Sequence, residues 1–95
     1  MLTGKQRAKL RSMANSLEPL LQVGHQGINE HTFTHVDEAL TKRELVKFRV
    51  LESCPVTSRE AADTIAEKLG ADVVQVIGYR FVLYRRNNEK PIIEL

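Results

Sequence analysis

Three helix-starting signals restrict this chain more than anything else in its sequence, because each is followed by an apolar stripe at helical spacing and then by a short run of strand character. Thr3 with Gln6 and Thr57 with Glu60 form the capping-box pattern, and Asn29 is a good N-cap residue. After Thr3, the residues Leu10, Met13, Ala14 and Leu17 share one helical face, and Pro19 is expected to end that helix. After Asn29, the stripe is Phe33, Val36, Ala39 and Leu40, running to about residue 42; after Thr57 it is Ala62, Ile65, Ala66 and Leu69, closed by Gly70. Between and beyond these helices lie runs of strand character at 20–23, 45–51, 73–77 and 81–86, the last two joined by a tight turn at Gly78, Tyr79 and Arg80.

The order is therefore α-β-α-β-α-β-β. Two strand–helix–strand crossovers imply parallel neighbours, and the terminal hairpin adds an antiparallel pair, so the fold class expected is α/β with a mixed four-stranded sheet. In 45–51, Val46, Phe48 and Val50 alternate with Lys47 and Arg49. That pattern predicts a two-layer sandwich of the α+β kind, with helices packed on one sheet face and the other face partly open. At 95 residues the chain has room for one modest core, so residues 1–95 read as a single domain, with 87–95 as a loose tail or a short edge strand.

Composition excludes several classes. The lone cysteine, Cys54, cannot form an intramolecular disulfide, the first residues carry no signal-like apolar run, and no stretch approaches the roughly 20 apolar residues that a membrane helix needs. A cytoplasmic protein with no membrane contact is expected. The net charge of +2 names no partner by itself, but its distribution is uneven. Lys5, Arg7, Lys9 and Arg11 all fall in the first helix before any acidic residue, where they oppose the helix dipole; helix stability does not explain them, and either a solvated basic face or an anionic partner does. Lys47 and Arg49 share one strand face, and Lys42, Arg43, Arg80, Arg85 and Arg86 are candidates for a second patch, although sequence does not fix which cations share a face. The third helix, with Glu60, Asp63 and Glu67, is acidic and the face least suited to nucleic acid.

The segment Gly24-His25-Gln26-Gly27 brackets two polar residues with glycines and opens onto the helix capped by Asn29. A turn of this form at a helix N-terminus suits a phosphate, since the free N–H groups of the first turn and the positive end of the dipole both favour an anion. A Gly-X-X-Gly loop of this kind clamps an RNA backbone in KH domains. His31 and His35 lie four apart, a spacing that can place two imidazoles on one metal, but the intervening Thr32-Phe33-Thr34 lacks the glutamate of the zinc-protease signature. They read as surface histidines, and no metal or other cofactor is expected. Cys54, before Pro55, reads as a partly buried structural thiol, and no Ser/His/carboxylate set, nucleotide loop or acid pair indicates an enzyme or a small-molecule substrate.

Four spaced motifs, in order, carry a resemblance over nearly the whole chain: Leu2-Thr3-Gly4-Lys5-Gln6; Val23-Gly24-His25-Gln26-Gly27-Ile28-Asn29-Glu30; Arg43-Glu44-Leu45-Val46-Lys47; and Val76-Ile77-Gly78 followed by Val82-Leu83-Tyr84-Arg85. The sequence resembles the YhbY-like CRM domain family, small bacterial RNA-binding proteins associated with precursors of the large ribosomal subunit, whose module recurs in plant organelle splicing factors. The resemblance implies a fold similar to the C-terminal domain of translation initiation factor three, RNA contact by the Gly24 to Gly27 loop, and no catalysis. Family loops often carry lysine between the glycines, whereas this one has His25 and Gln26.

The expected function is recognition of structured RNA, such as ribosomal RNA of pre-large-subunit particles, in ribosome assembly. Gly24, His25, Gln26, Gly27 and Asn29 would hold the backbone, with Lys5, Arg7, Lys9, Arg11, Lys47, Arg49, Arg80 and Arg85 as candidates for screened attraction. The few aromatics make sequence-specific base reading improbable, with Tyr79 the one aromatic placed at an exposed tip. The competing readings are a protein-interaction adaptor using the acidic helix and open sheet, and a duplex DNA binder, which lacks a helix-turn-helix pattern.

Overall fold

A computed structural model describes residues 2–95. Helix α1 spans Gly4–Ala14, strand β1 Leu21–Val23, helix α2 Glu30–Arg43, strand β2 Leu45–Val50, helix α3 Ser58–Leu69, strand β3 Asp72–Ile77 and strand β4 Arg80–Tyr84. The order is the expected one, and the sheet is mixed and four-stranded. Each helix starts at a reciprocal cap. Thr3 and Gln6, Asn29 and Thr32, and Thr57 and Glu60 exchange side-chain and backbone hydrogen bonds of 3.0–3.2 Å. The bonds that Glu60 accepts at Thr57 also hold its carboxyl below the usual glutamate range. Thr57→Ala removes one of the two bonds of its cap, so it should cost about 1 kcal/mol. Urea unfolding monitored by circular dichroism checks this, with α3 losing amide protection first.

The first helix stops at Ala14, five residues short of Pro19, which was expected to end it. Asn15 N–H donates to the Arg11 carbonyl and Ser16 N–H to that of Met13, and a turn follows; Met13 and Leu17, expected on the buried stripe, are left partly exposed. Leu10 and Ala14 alone reach the core.

Strand order is β1-β2-β4-β3. β1 and β2 are parallel, as the first crossover implies, but β4 inserts between β2 and β3, antiparallel to both, so the second crossover does not produce parallel neighbours. The reason lies in β4 itself: Phe81, Val82, Leu83 and Tyr84 are all buried, which suits a strand covered on both faces. Phe48 and Phe81 sit directly opposite across β2 and β4 with rings stacked 4.4 Å apart. A register shift between Val73 and Gln75 breaks the alternation of β3, and Val74 points to the opposite face from Val73 and Val76.

The main core lies between one sheet face and helices α2 and α3, and includes Val36, Leu40, Val46, Phe48, Ala62, Ile65 and Leu83. On the second face, Leu10 and Ala14 of α1 pack against Leu45, Val74, Val82 and Tyr84. The two expected layers thus carry a partial third one, and the second face is open only where α1 does not reach. Cys54 is a free thiol, partly buried against the main core.

Residues 87–95 form no strand, yet they are fastened down. The backbone N–H groups of Asn87, Ile92 and Ile93 donate to the carboxylate of Glu44 at 2.7, 2.9 and 2.6 Å. Glu44 is fully buried and has a left-handed backbone, φ 63°, at the end of α2.

Candidate functional site

The two-glycine segment is a tight turn. Gly27 N–H donates to the Gly24 carbonyl at 2.9 Å, leaving His25 and Gln26 exposed at the tip, and Gly27 takes the left-handed region at φ 70°. A Cβ on Gly27 would lie 3.1 Å from Pro55 Cγ, so both backbone and neighbour call for glycine. Gly24 has no positive φ, and a Cβ there would meet only Leu51 Cδ1, at 3.5 Å. Two residues beyond Gly27, Asn29 caps α2 by accepting from Thr32 N–H. The N–H groups of Glu30 and His31 precede the first intrahelical bond and are not reached by this cap, so an anion at the turn would find donors there.

Three connections meet at this end of the sheet. β1 leads into the glycine turn, Leu51 N–H at the end of β2 donates to the Val23 carbonyl, and Val50 N–H donates to the carbonyl of Tyr79 in the β3–β4 hairpin. The hairpin loop has only two residues, Gly78 at φ 56° and Tyr79, because Arg80 already belongs to β4. Tyr79 is 54% exposed, as its place at the tip predicts.

On the open part of the second sheet face, Gln22, Arg49, Arg80 and Ile77 fall in one row across β1, β2, β4 and β3. Arg49 and Arg80 are direct cross-strand partners and both exposed. Like charges placed opposite each other destabilise a sheet. Neither has a carboxylate within 4.0 Å among the described residues, where the ion pairs are Arg59–Asp63 and Arg85–Asp37, although Glu18 lines the same shallow depression. The arginine pair is thus a concentration of unneutralised charge on the second face, at the end of the sheet that carries the glycine turn.

The other basic candidates are placed differently. Arg7 donates to the Val73 carbonyl and Lys9 to the Glu94 carbonyl. Lys47, expected on an open face, is half-buried and reaches the Ala14 carbonyl at 3.3 Å, where it favours the negative end of α1. Arg85 is held by Asp37 Oδ1 at 2.8 Å, by the carbonyls of Asp37 and Leu69 and by Thr41 Oγ1, at the opposite end of β4 from the glycine turn. Lys5 and Arg11 remain exposed on α1. Of these cations, Arg49 and Arg80 lie at the same end of the sheet as the turn, on the second face, and Arg85 lies at the other end.

All three histidines line one groove beside the turn, together with Gln26, Asn29 and Thr32. Spacing alone flagged His31 and His35; it did not join His25 to them. Among the described residues no group of three His, Cys, Asp or Glu side chains is placed to hold a metal. No helix among them is long and apolar enough to cross a membrane.

Residues 2–85 match the CRS1 / YhbY (CRM) domain. The chain is 41% identical to the "Probable RNA-binding protein YqeI" of Bacillus subtilis, over all of this chain and 99% of that one. It is 32% identical to an "RNA-binding protein" of Haemophilus influenzae, over 96% of this chain and 92% of that one. The solution structure of the hypothetical protein SAV1595 from Staphylococcus aureus superposes with a TM-score of 0.82 at 43% identity, covering 100% of this chain and 99% of that one.

Proposed function

The chain belongs to the CRS1 / YhbY (CRM) domain family, and from that premise we propose that residues 1–95 act as one non-enzymatic RNA-binding domain. Its contact surface is the glycine turn together with the arginine pair. The observation that carries this reading is their common end of the sheet: a turn whose backbone admits close approach follows β1, and two directly opposed arginines without an ion-pair partner among the described residues lie one register row back on the second face. Phosphate on the turn would take the N–H groups at the start of α2, and a neighbouring phosphate would relieve the repulsion between Arg49 and Arg80. Both interactions read the backbone and not the bases. The RNA that the family resemblance favours is structured ribosomal RNA of the large-subunit precursor in the cytoplasm, bound during ribosome assembly.

RNA binding measured by fluorescence anisotropy across a salt series tests the surface. Arg49→Gln with Arg80→Gln should weaken binding and reduce the slope of log K against log salt by about 2, roughly one for each phosphate that an arginine no longer neutralises. Lys47→Gln should leave that slope unchanged, because its ammonium faces the end of α1. An unchanged slope in the arginine variant would remove these two residues from the interface. Sedimentation of cell extract on a gradient tests the partner: migration with large-subunit precursors supports the ribosomal assignment, and migration with free protein alone counts against it.

A further inference from the structure

The groove beside the glycine turn is rimmed by three imidazoles, a surface that a phosphate alone would not use. Its volume is about 290 Å³, it is backed by the buried core residues Val23, Val36 and Phe48, and its rim carries the imidazoles of His25, His31 and His35. His31 and His35 project from α2 one turn apart, with ring centroids 4.3 Å from each other and planes tilted by 55°. No carboxylate is among the described residues that line the groove. This combination narrows the occupant. The volume falls at the lower limit of ordinary ligand pockets, roughly 300 Å³, so it admits one planar ring system and not a stacked base pair. Histidine is among the side chains on which unpaired RNA bases stack, and the Gln26 side-chain amide at the rim offers both a donor and an acceptor to a base edge.

We propose that this groove is a single-nucleobase site, holding one unpaired base from an RNA loop or bulge while the phosphate next to it rests on the Gly24 to Gly27 turn. The proposal rests on the RNA-binding reading above and adds the class of RNA: a strand with an extruded base, not a continuous duplex. Strand β1 supplies a path for that strand, since Leu21 and Gln22 line both the groove and the depression holding Arg49 and Arg80. An RNA backbone passing over this edge of the sheet meets the turn on one side and the arginine pair on the other.

The test uses the full chain at one fixed pH. Two RNAs of equal length are compared, a hairpin with 2-aminopurine in its unpaired loop and a blunt duplex. The hairpin should bind roughly tenfold more tightly, with the 2-aminopurine fluorescence changing on binding as the base stacks. His31→Ala with His35→Ala, on an exposed helix face where alanine favours the helix, should lower hairpin affinity roughly tenfold, to the duplex level. It should abolish the fluorescence change and leave the salt slope unchanged, because the slope counts phosphates. Equal affinity for both RNAs without a fluorescence change overturns the base site and leaves the RNA-binding reading standing; so does undiminished hairpin affinity in the histidine variant. Failure of the unmodified chain to bind either RNA at low salt defeats the RNA-binding reading and the base site with it.

Discussion

Gly27→Val is expected to reduce RNA affinity at least tenfold and to lower the melting temperature. Valine at φ 70° is a backbone outlier for a β-branched residue, worth roughly 1–3 kcal/mol, and its Cβ would be pressed to 3.1 Å from Pro55 Cγ. For a domain of this size each kcal/mol moves the melting point by about 4–8 °C. The strain relaxes by opening the turn, which moves the N–H groups of the binding surface and so joins the loss of stability to the loss of affinity. Gly24→Ala separates the two effects, since its Cβ would make an ordinary 3.5 Å contact with Leu51 and should leave the melting point within about 2 °C. Gln26→Glu puts a carboxylate on the exposed tip without strain, and should lower affinity roughly tenfold through repulsion of phosphate with no change in melting. Thermal melts and anisotropy on the three variants give the answer. If Gly27→Val and Gln26→Glu both bind RNA as the unmodified chain does, the turn does not touch RNA.

Glu44→Gln should destabilise the fold by about 2–4 kcal/mol and free residues 87–95, because three backbone N–H groups lose a charged acceptor. Glutamine keeps the shape but offers one acceptor oxygen and turns an NH₂ toward donors. The cost is bounded, since a detached tail can hydrate its own N–H groups. Glu44→Gly would ease the positive φ at the end of α2 but removes both acceptor oxygens and a fully buried side chain, so it should destabilise at least as much as Glu44→Gln.

The same site makes stability depend on acid. Burial alone would raise the Glu44 carboxyl, but the N–H groups of Asn87, Ile93 and Ile92, with the charge of Arg86, outweigh it and hold the group below its usual value. A depressed folded-state value means the stabilisation is present above the unfolded carboxylate range, near pH 4.3, and is lost as pH falls through the lower folded value. The amides of Asn87, Ile92 and Ile93 should lose hydrogen-exchange protection in that acid window. In Glu44→Gln their protection should be lower and no longer change across that window; an acid-dependent loss that persists there would disprove the role of the Glu44 carboxylate.

Sequence signals that act within a few residues are legible with little error. The caps at Thr3, Asn29 and Thr57, the left-handed Gly70 ending α3, and the glycine turn ahead of α2 depend on neighbours three or four positions away. The end of α1 is less legible: Pro19 is a strong stop, yet the helical stripe has already left the core at Ala14. β4 stands out as an unbroken apolar run, the mark of a central strand, but the crossover through α3 points instead to β3 as the neighbour of β2.

The chain's own sequence determined the order of its elements, their starts, and the placing of a sharp glycine turn before a helix, since each follows from local backbone preference and a side-chain cap within reach. Tertiary structure alone decided which strand lies beside which. It also decided that Arg7, Lys47 and Arg85 are occupied by Val73, Ala14 and Asp37 while Arg49 and Arg80 face each other with no ion-pair partner among the described residues, and that His25 joins His31 and His35. Those outcomes depend on hydrogen-bond and packing partners far apart along the chain, 66 residues for Arg7 and Val73, and periods of two or 3.6 residues carry no record of such pairings.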